Sequence, residues 1–130
     1  MIVDETGIPI EFCFTPGSSS DIAGLKELPC MLPEGSILFA DRAYNSYSLE
    51  DDLLQMAGIS LVQRRKKNLK KQHSISLEFI LNSTRNRIET VFSSIISKMP
   101  RCIRARTEKG FYLKITFFII AYLLGTLATN

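Results

Sequence analysis

Hydrophobic and polar positions change their spacing several times along the chain, and each change marks an element. Ile8, Ile10, Phe12 and Phe14 alternate with Pro9, Glu11, Cys13 and Thr15, the period of a strand with one buried face. The stretch Asp4-Glu5-Thr6-Gly7 ahead of it is turn chemistry, with Gly7 available for positive φ. Residues 1–16 are therefore expected as a hairpin. Its first arm, Met1 to Val3, is short, which points to sequence of the same element upstream of Met1.

A short helix follows Pro16-Gly17-Ser18-Ser19-Ser20-Asp21. Ser20 or Asp21 can cap it, Ile22, Leu25 and Leu28 have helical spacing, and Pro29 stops it. Ser36 to Ala40 is a continuous apolar run of strand length, the pattern of a strand covered on both faces. It ends at Asp41, a carboxylate at the mouth of a segment that reads as buried. Ser46 or Ser48 can cap a next helix in which Leu49, Leu53 and Ala57 share a face and Gly58 closes the C-terminus. Ile59 to Gln63 is a second short buried strand. The order hairpin, helix, strand, helix, strand is a mixed α/β layout with helices covering the central strands.

The strongest helical period comes later. Ile88, Val91, Phe92, Ile95, Ile96 and Met99 form one apolar stripe of a helix over 83–99, capped by Asn82 or Ser83 and ended by Pro100. Glu89 falls on the edge of that stripe and Arg85, one turn earlier, within it; Arg87 and Lys98 lie on the other edge. A last helix over 111–128 is apolar nearly all round. Its uninterrupted stretch after Lys114 is about 14 residues, short of the ~18–20 that span a bilayer, so packing in a core or an interface is expected and no membrane.

Composition changes this picture little. A chain of 130 residues, 45% hydrophobic and 22% charged, is a globular domain and not a disordered one. Three Cys without metal-type spacing suit reduced thiols in a cytosolic protein, and Met1 to Gly7 has neither the basic start nor the apolar core of a signal peptide. The net charge of +3 is modest, but its placement is not. The connector 64–73 carries Arg64, Arg65, Lys66, Lys67, Lys70 and Lys71 with no acid. Such a run is either a solvated link or a phosphate-contacting loop whose binding weakens with salt. The lone His73 is expected in solvent and makes no metal site.

Asp41 at a strand end and Glu89 on a helix expected to cover the sheet suggest paired acids. Two carboxylates brought together are costly unless a cation lies between them. Mg²⁺ or Mn²⁺ fills that role, and two such ions ~3.5–4 Å apart make the phosphoryl-transfer site of many nucleases and polymerases. The plainer alternatives are a strand-end turn for Asp41, paired with Arg42, and a surface i,i+4 pair for Arg85 and Glu89.

Taken in order, Ala40-Asp41-Arg42-Ala43-Tyr44, the basic run and Arg85-Asn86-Arg87-Ile88-Glu89 resemble the second half of the catalytic domain of DDE-type insertion-sequence transposases, of the IS-four or IS-nine-eighty-two kind. The hairpin and the late segment Arg104 to Leu124 also resemble their counterparts, so the likeness covers nearly the whole chain. It implies a ribonuclease H-like mixed α/β sheet flanked by helices, here lacking its first strand and the first of three acids. Asp41 would be the second acid and Glu89 the third, both holding metal, with Arg42 and Tyr44 supporting Asp41. Arg64, Arg65, Lys66, Lys67, Lys70, Lys71, Arg85 and Arg87 would hold DNA. Asp4 is the one acid near the start to stand in for the first, and the alternative for it is a role in a turn.

The reaction implied is metal-dependent cleavage at an element's ends followed by strand transfer into target DNA, in a bacterial or archaeal cytoplasm at the nucleoid. A chain with two of three acids would be inactive alone and would depend on an upstream transposase fragment or on a homo-oligomer. A catalytically dead, basic DNA-binding or interaction remnant, and an unrelated metal-dependent nuclease on the same fold, stand as alternatives.

Overall fold

The computed structural model describes residues 1–65 and 73–129. These fall into two compact units, one of Thr15–Asn86 and one of Met1–Phe14 with Arg87–Asn130.

In the unit Thr15–Asn86, helix α1 (Asp21–Glu27) starts where Ser20 accepts a hydrogen bond from the Ala23 N–H at 3.2 Å. Strand β3 (Ile37–Ala40) runs into a 3₁₀ turn (Arg42–Tyr44), then helix α2 (Tyr47–Ala57) and strand β4 (Ser60–Gln63). Ser46 caps α2 through the Leu49 N–H at 3.4 Å, and Gly58 closes it at φ +63, its N–H reaching the Leu53 and Leu54 carbonyls. Only a left-handed residue can turn the chain there, and glycine does so without steric cost. β3 and β4 pair in parallel, Ile37 opposite Ser60 through Ala40 opposite Gln63. The α2 crossover between them is what a parallel pair requires. Leu25, Leu28, Leu49, Ile59, Leu61 and Leu81 are buried.

β3 is less covered than its unbroken apolar run implies. Ile37 is 59% exposed and Leu38 to Ala40 are half-buried. Among the described residues its sheet has two strands, so β3 has a ladder on one side only, while α2 packs on β4.

Helix α3 (Ile75–Ser97) begins eight residues before the expected start at 83. Ser74 accepts from the Leu77 N–H at 3.3 Å, and nothing between Ile75 and Asn82 breaks a helix, so Asn82 and Ser83 lie inside it. Leu81 is buried with Val91 and Ile95, and Leu77, Thr84 and Ile88 are half-buried between and before them. The covered stripe is thus rotated from the expected one, leaving Phe92 and Ile96 exposed and with them Arg85 and Glu89.

The second unit holds strands β1 (Ile2–Val3) and β2 (Pro9–Glu11), paired antiparallel, and helix α4 (Glu108–Thr129). Its core is Val91, Ile95 and Ile119, with Val3, Phe12, Ile115, Phe118 and Tyr122 packed against them. The ladder is irregular between Ile2 and Val3, and a one-residue slip exchanges the faces of a strand. Pro9 is accordingly buried and Ile10 exposed, the reverse of the expected alternation, which resumes at Phe12.

α4 starts three residues before 111, and its 22 residues are long and apolar enough to cross a membrane by length and composition. Of them only Ile119 is fully buried, because a helix apolar nearly all round has more hydrophobic faces than the Val91–Ile95 ridge can cover.

Asp4 shapes the hairpin turn. Its Oδ1 accepts from the Thr6 N–H at 2.9 Å, the Thr6 hydroxyl at 2.7 Å and the Ile8 N–H at 2.9 Å, while Gly7 sits at φ +88. Burial pushes the Asp4 carboxyl up, but the hydrogen bonds from Thr6, Ile8 and Gly7 outweigh it and hold the group below the ordinary carboxylate value. A depressed folded value stabilises the turn at every pH above the unfolded carboxylate value of about 3.9, and that stability is lost as pH falls through the folded value. Asp4→Asn keeps an acceptor oxygen but loses the charge. Its urea midpoint is expected to lie below the parent's at pH 7 and to converge on it towards pH 2; a constant gap would show that the charge does not act.

Candidate functional site

The parallel ladder brings the chemically interesting residues of the Thr15–Asn86 unit to one edge. Because Ala40 lies opposite Gln63, and the Arg64 N–H donates to the Ala40 carbonyl at 3.3 Å, the chain leaves both strands side by side. One exit carries Asp41, the other Arg64 and Arg65. The C-terminal edge of parallel strands is where open α/β sheets bind ligands.

Asp41 is held there as a cap. Its backbone is extended, Oδ1 accepts the Arg42 N–H at 2.8 Å, and its carbonyl accepts the Tyr44 N–H at 3.2 Å. A carboxylate at the mouth of an apolar strand therefore has a local cause: it starts the 3₁₀ turn. Oδ2 faces the Arg85 guanidinium at 3.8 Å, with 43% of the Asp41 side chain and 46% of the Arg85 side chain exposed. An open pair at that distance contributes less than about 1 kcal/mol, so one carboxylate edge remains exchangeable. Arg42 is exposed and Tyr44 half-buried.

Arg65 is placed otherwise than a phosphate-contacting arginine requires. Its guanidinium pairs with Glu50 at 3.2 Å, the two side chains only 12% and 20% exposed, and stands 5.3 Å over the Tyr47 ring. Gln63, 1% exposed, donates its amide to the other Glu50 oxygen. Glu50 thus ties the end of β4 to the first turn of α2. Nothing in the hydropathy pattern singled out Glu50 or Tyr47; the available signal was Gln63, a polar residue closing an apolar strand and so in need of a buried partner. His73 is half-buried, its Nε2 2.8 Å from the Gln63 carbonyl oxygen, and so also belongs to this strand end. Lys66, Lys67, Lys70 and Lys71 lie outside the described residues.

Glu89 and Arg87 belong to the other unit, both exposed on α3. Asp4, in that same unit, spends its Oδ1 on the hairpin turn.

Residues 1–124 match the family model of the transposase DDE domain. The chain belongs to the transposase DDE domain family. Searches of curated proteins and of solved structures found no match. For a DDE domain the partner is DNA, and divalent metal is generally required. Asp41 is of the kind such a metal takes, a hard carboxylate oxygen donor, as Mg²⁺ and Mn²⁺ prefer. Among the described residues no three His, Cys, Asp or Glu side chains gather into a metal-binding group, and the three cysteines are free thiols. Within the Thr15–Asn86 unit, Asp41 leaves its strand beside Arg64 and faces Arg85, while Glu50 is taken up by Arg65 and Gln63.

The Glu50–Arg65 pair is nearly buried, so removing one partner strands a charge. Arg65→Met is expected to cost about 3 kcal/mol in urea unfolding, and Glu50→Gln with Arg65→Met, which keeps an acceptor for the Gln63 amide, distinctly less than Arg65→Met alone. Simple additivity of the two changes would show that they do not act as a pair.

Proposed function

We propose that this DDE domain takes part in cutting and joining DNA at the ends of an insertion sequence, on a ribonuclease H-like fold, in the cytoplasm of a bacterium or archaeon. The observation that carries the reading is Asp41 at the C-terminal edge of a parallel strand pair, beside the start of the basic run. Asp41 acts as the second acid of the family's triad and Glu89 as the third, together holding Mg²⁺ or Mn²⁺. When bound, two such ions supply an activated water and charge neutralisation at the attacking and leaving oxygens. The chain's own residues do the rest. Arg42 and Tyr44 form the 3₁₀ turn that keeps Asp41 aimed outward. Arg85 neutralises Asp41 through its exchangeable oxygen and, with Arg87, meets the phosphates of the bound strand. Arg64, Lys66, Lys67, Lys70 and Lys71 track the DNA backbone, while Arg65 anchors their origin on Glu50. α4 packs against protein, through Ile115, Phe118, Ile119 and Tyr122.

A full triad also needs the first acid. The turn role of Asp4 supports the view that this chain does not supply one, and that it binds DNA without cutting it unless an upstream fragment or a second copy completes the site. The test is Mn²⁺-dependent nicking of an element-end duplex by the purified chain, alone and co-expressed with a fragment carrying the first Asp, with Glu89→Gln as control. No nicking alone, and nicking on co-expression that Glu89→Gln lowers by at least ~10³-fold, is expected. Nicking by the chain alone that Glu89→Gln abolishes would show that the first acid is internal.

A further inference from the structure

The connector 64–73 is not the sole basic segment of the chain. From Lys98 to Lys114 stand Lys98, Arg101, Arg104, Arg106, Lys109 and Lys114 against the single acid Glu108. All six cationic residues are exposed. Among the described residues no ion pair engages any of them, and the Glu108 carboxylate accepts the Tyr112 hydroxyl at 2.5 Å instead.

The segment is also shaped. The loop before α4 folds back on the helix, because Lys114 donates its ammonium to the Arg104 carbonyl and Thr107 accepts the Gly110 N–H at 3.1 Å. Ile103, Arg104, Arg106, Thr107, Gly110 and Lys114 then line an open hollow of about 660 Å³. Arg104, Arg106 and Lys114 line this hollow and no Asp or Glu does, and such an excess of cationic residues attracts a polyanion. Arginine suits phosphate best, since its planar fork can hold two oxygens at once.

We infer that the loop 101–107 and the first turns of α4 form a second DNA-backbone site, in which Arg104 and Arg106 each hold a phosphate beside Lys114. The site rests on the DNA reading proposed above but uses none of its residues. It reads no base sequence, because every contact it offers is to phosphate. Lys114 has a structural duty at the Arg104 carbonyl, so the test falls on Arg104 and Arg106, which are exposed and whose replacement leaves the core untouched.

The experiment measures binding of the full chain to a duplex of arbitrary sequence over a range of salt concentrations. The variants are Arg104→Gln with Arg106→Gln, the same pair changed to Lys, and Arg64→Gln. Each lost phosphate contact lowers the salt slope by about 0.9, so the double Gln variant should lose nearly two units of slope, and the Lys pair should keep it. Urea midpoints equal to the parent's confirm that the double Gln variant folds. An unchanged slope in that variant, while Arg64→Gln flattens, would overturn this site and leave the DNA reading intact. Absence of any DNA binding by the parent would overturn both. A parallel arm uses phosphatidylcholine vesicles containing phosphatidylserine. If the double Gln change removes vesicle binding and leaves the DNA slope alone, the hollow serves an anionic lipid surface beside the apolar helix and the DNA assignment is wrong.

Discussion

The parallel pairing of Ile37–Ala40 with Ser60–Gln63 is the constraint on which the chemistry of the Thr15–Asn86 unit depends. Parallel strands end at the same edge, so a four-residue ladder suffices to bring Asp41 and Arg64 together from positions more than twenty residues apart in the chain. An antiparallel pair would send them to opposite ends. The ladder needs a crossover, which α2 supplies, and the crossover needs its ends fixed, which Ser46 and Gly58 do. Glu50 then locks the arrangement by holding Gln63 and Arg65. Tyr47 contributes a ring face to the same guanidinium.

Much of this was legible from residue order. The caps Ser20, Ser46 and Gly58 sit where side-chain chemistry puts them, because capping is local and needs only a hydroxyl or a permissive φ. The strand-end position of Asp41 follows from an apolar run meeting a carboxylate. What was illegible depends on contacts from elsewhere. Ile10 faces outward and Pro9 inward because Ile10 is an extra residue between the partners of Ile2 and Val3, and no alternation within 8–14 can reveal such an irregular pairing. α3 starts at Ile75 because Ser74 caps it, although Asn82 and Ser83 carry an equally good capping signature. Its covered stripe runs through Leu81, Val91 and Ile95, away from Phe92 and Ile96.

The basic residues show the same division. A run of like charges reads as one solvated feature, yet Arg65 is withdrawn from it by an acid fifteen residues earlier, while Arg64 remains at the strand exit. Meanwhile the cations from Lys98 to Lys114 are spaced too widely to read as a run, and only the folding back of the loop on α4 gathers part of them around one hollow. Linear charge density and surface charge density are different quantities, and phosphate responds to the second.

In the function we propose, Asp41 and Glu89 are metal-binding acids of the DDE domain and not merely a turn cap and an exposed helix residue. Direct titration of the full chain with Mn²⁺, followed by the loss of the free-ion paramagnetic signal, tests it without requiring catalysis. Weak saturable binding that disappears in Asp41→Asn and in Glu89→Gln is the result expected, with each variant folded as judged by its urea midpoint. Binding that persists at parental affinity in either variant would contradict the account.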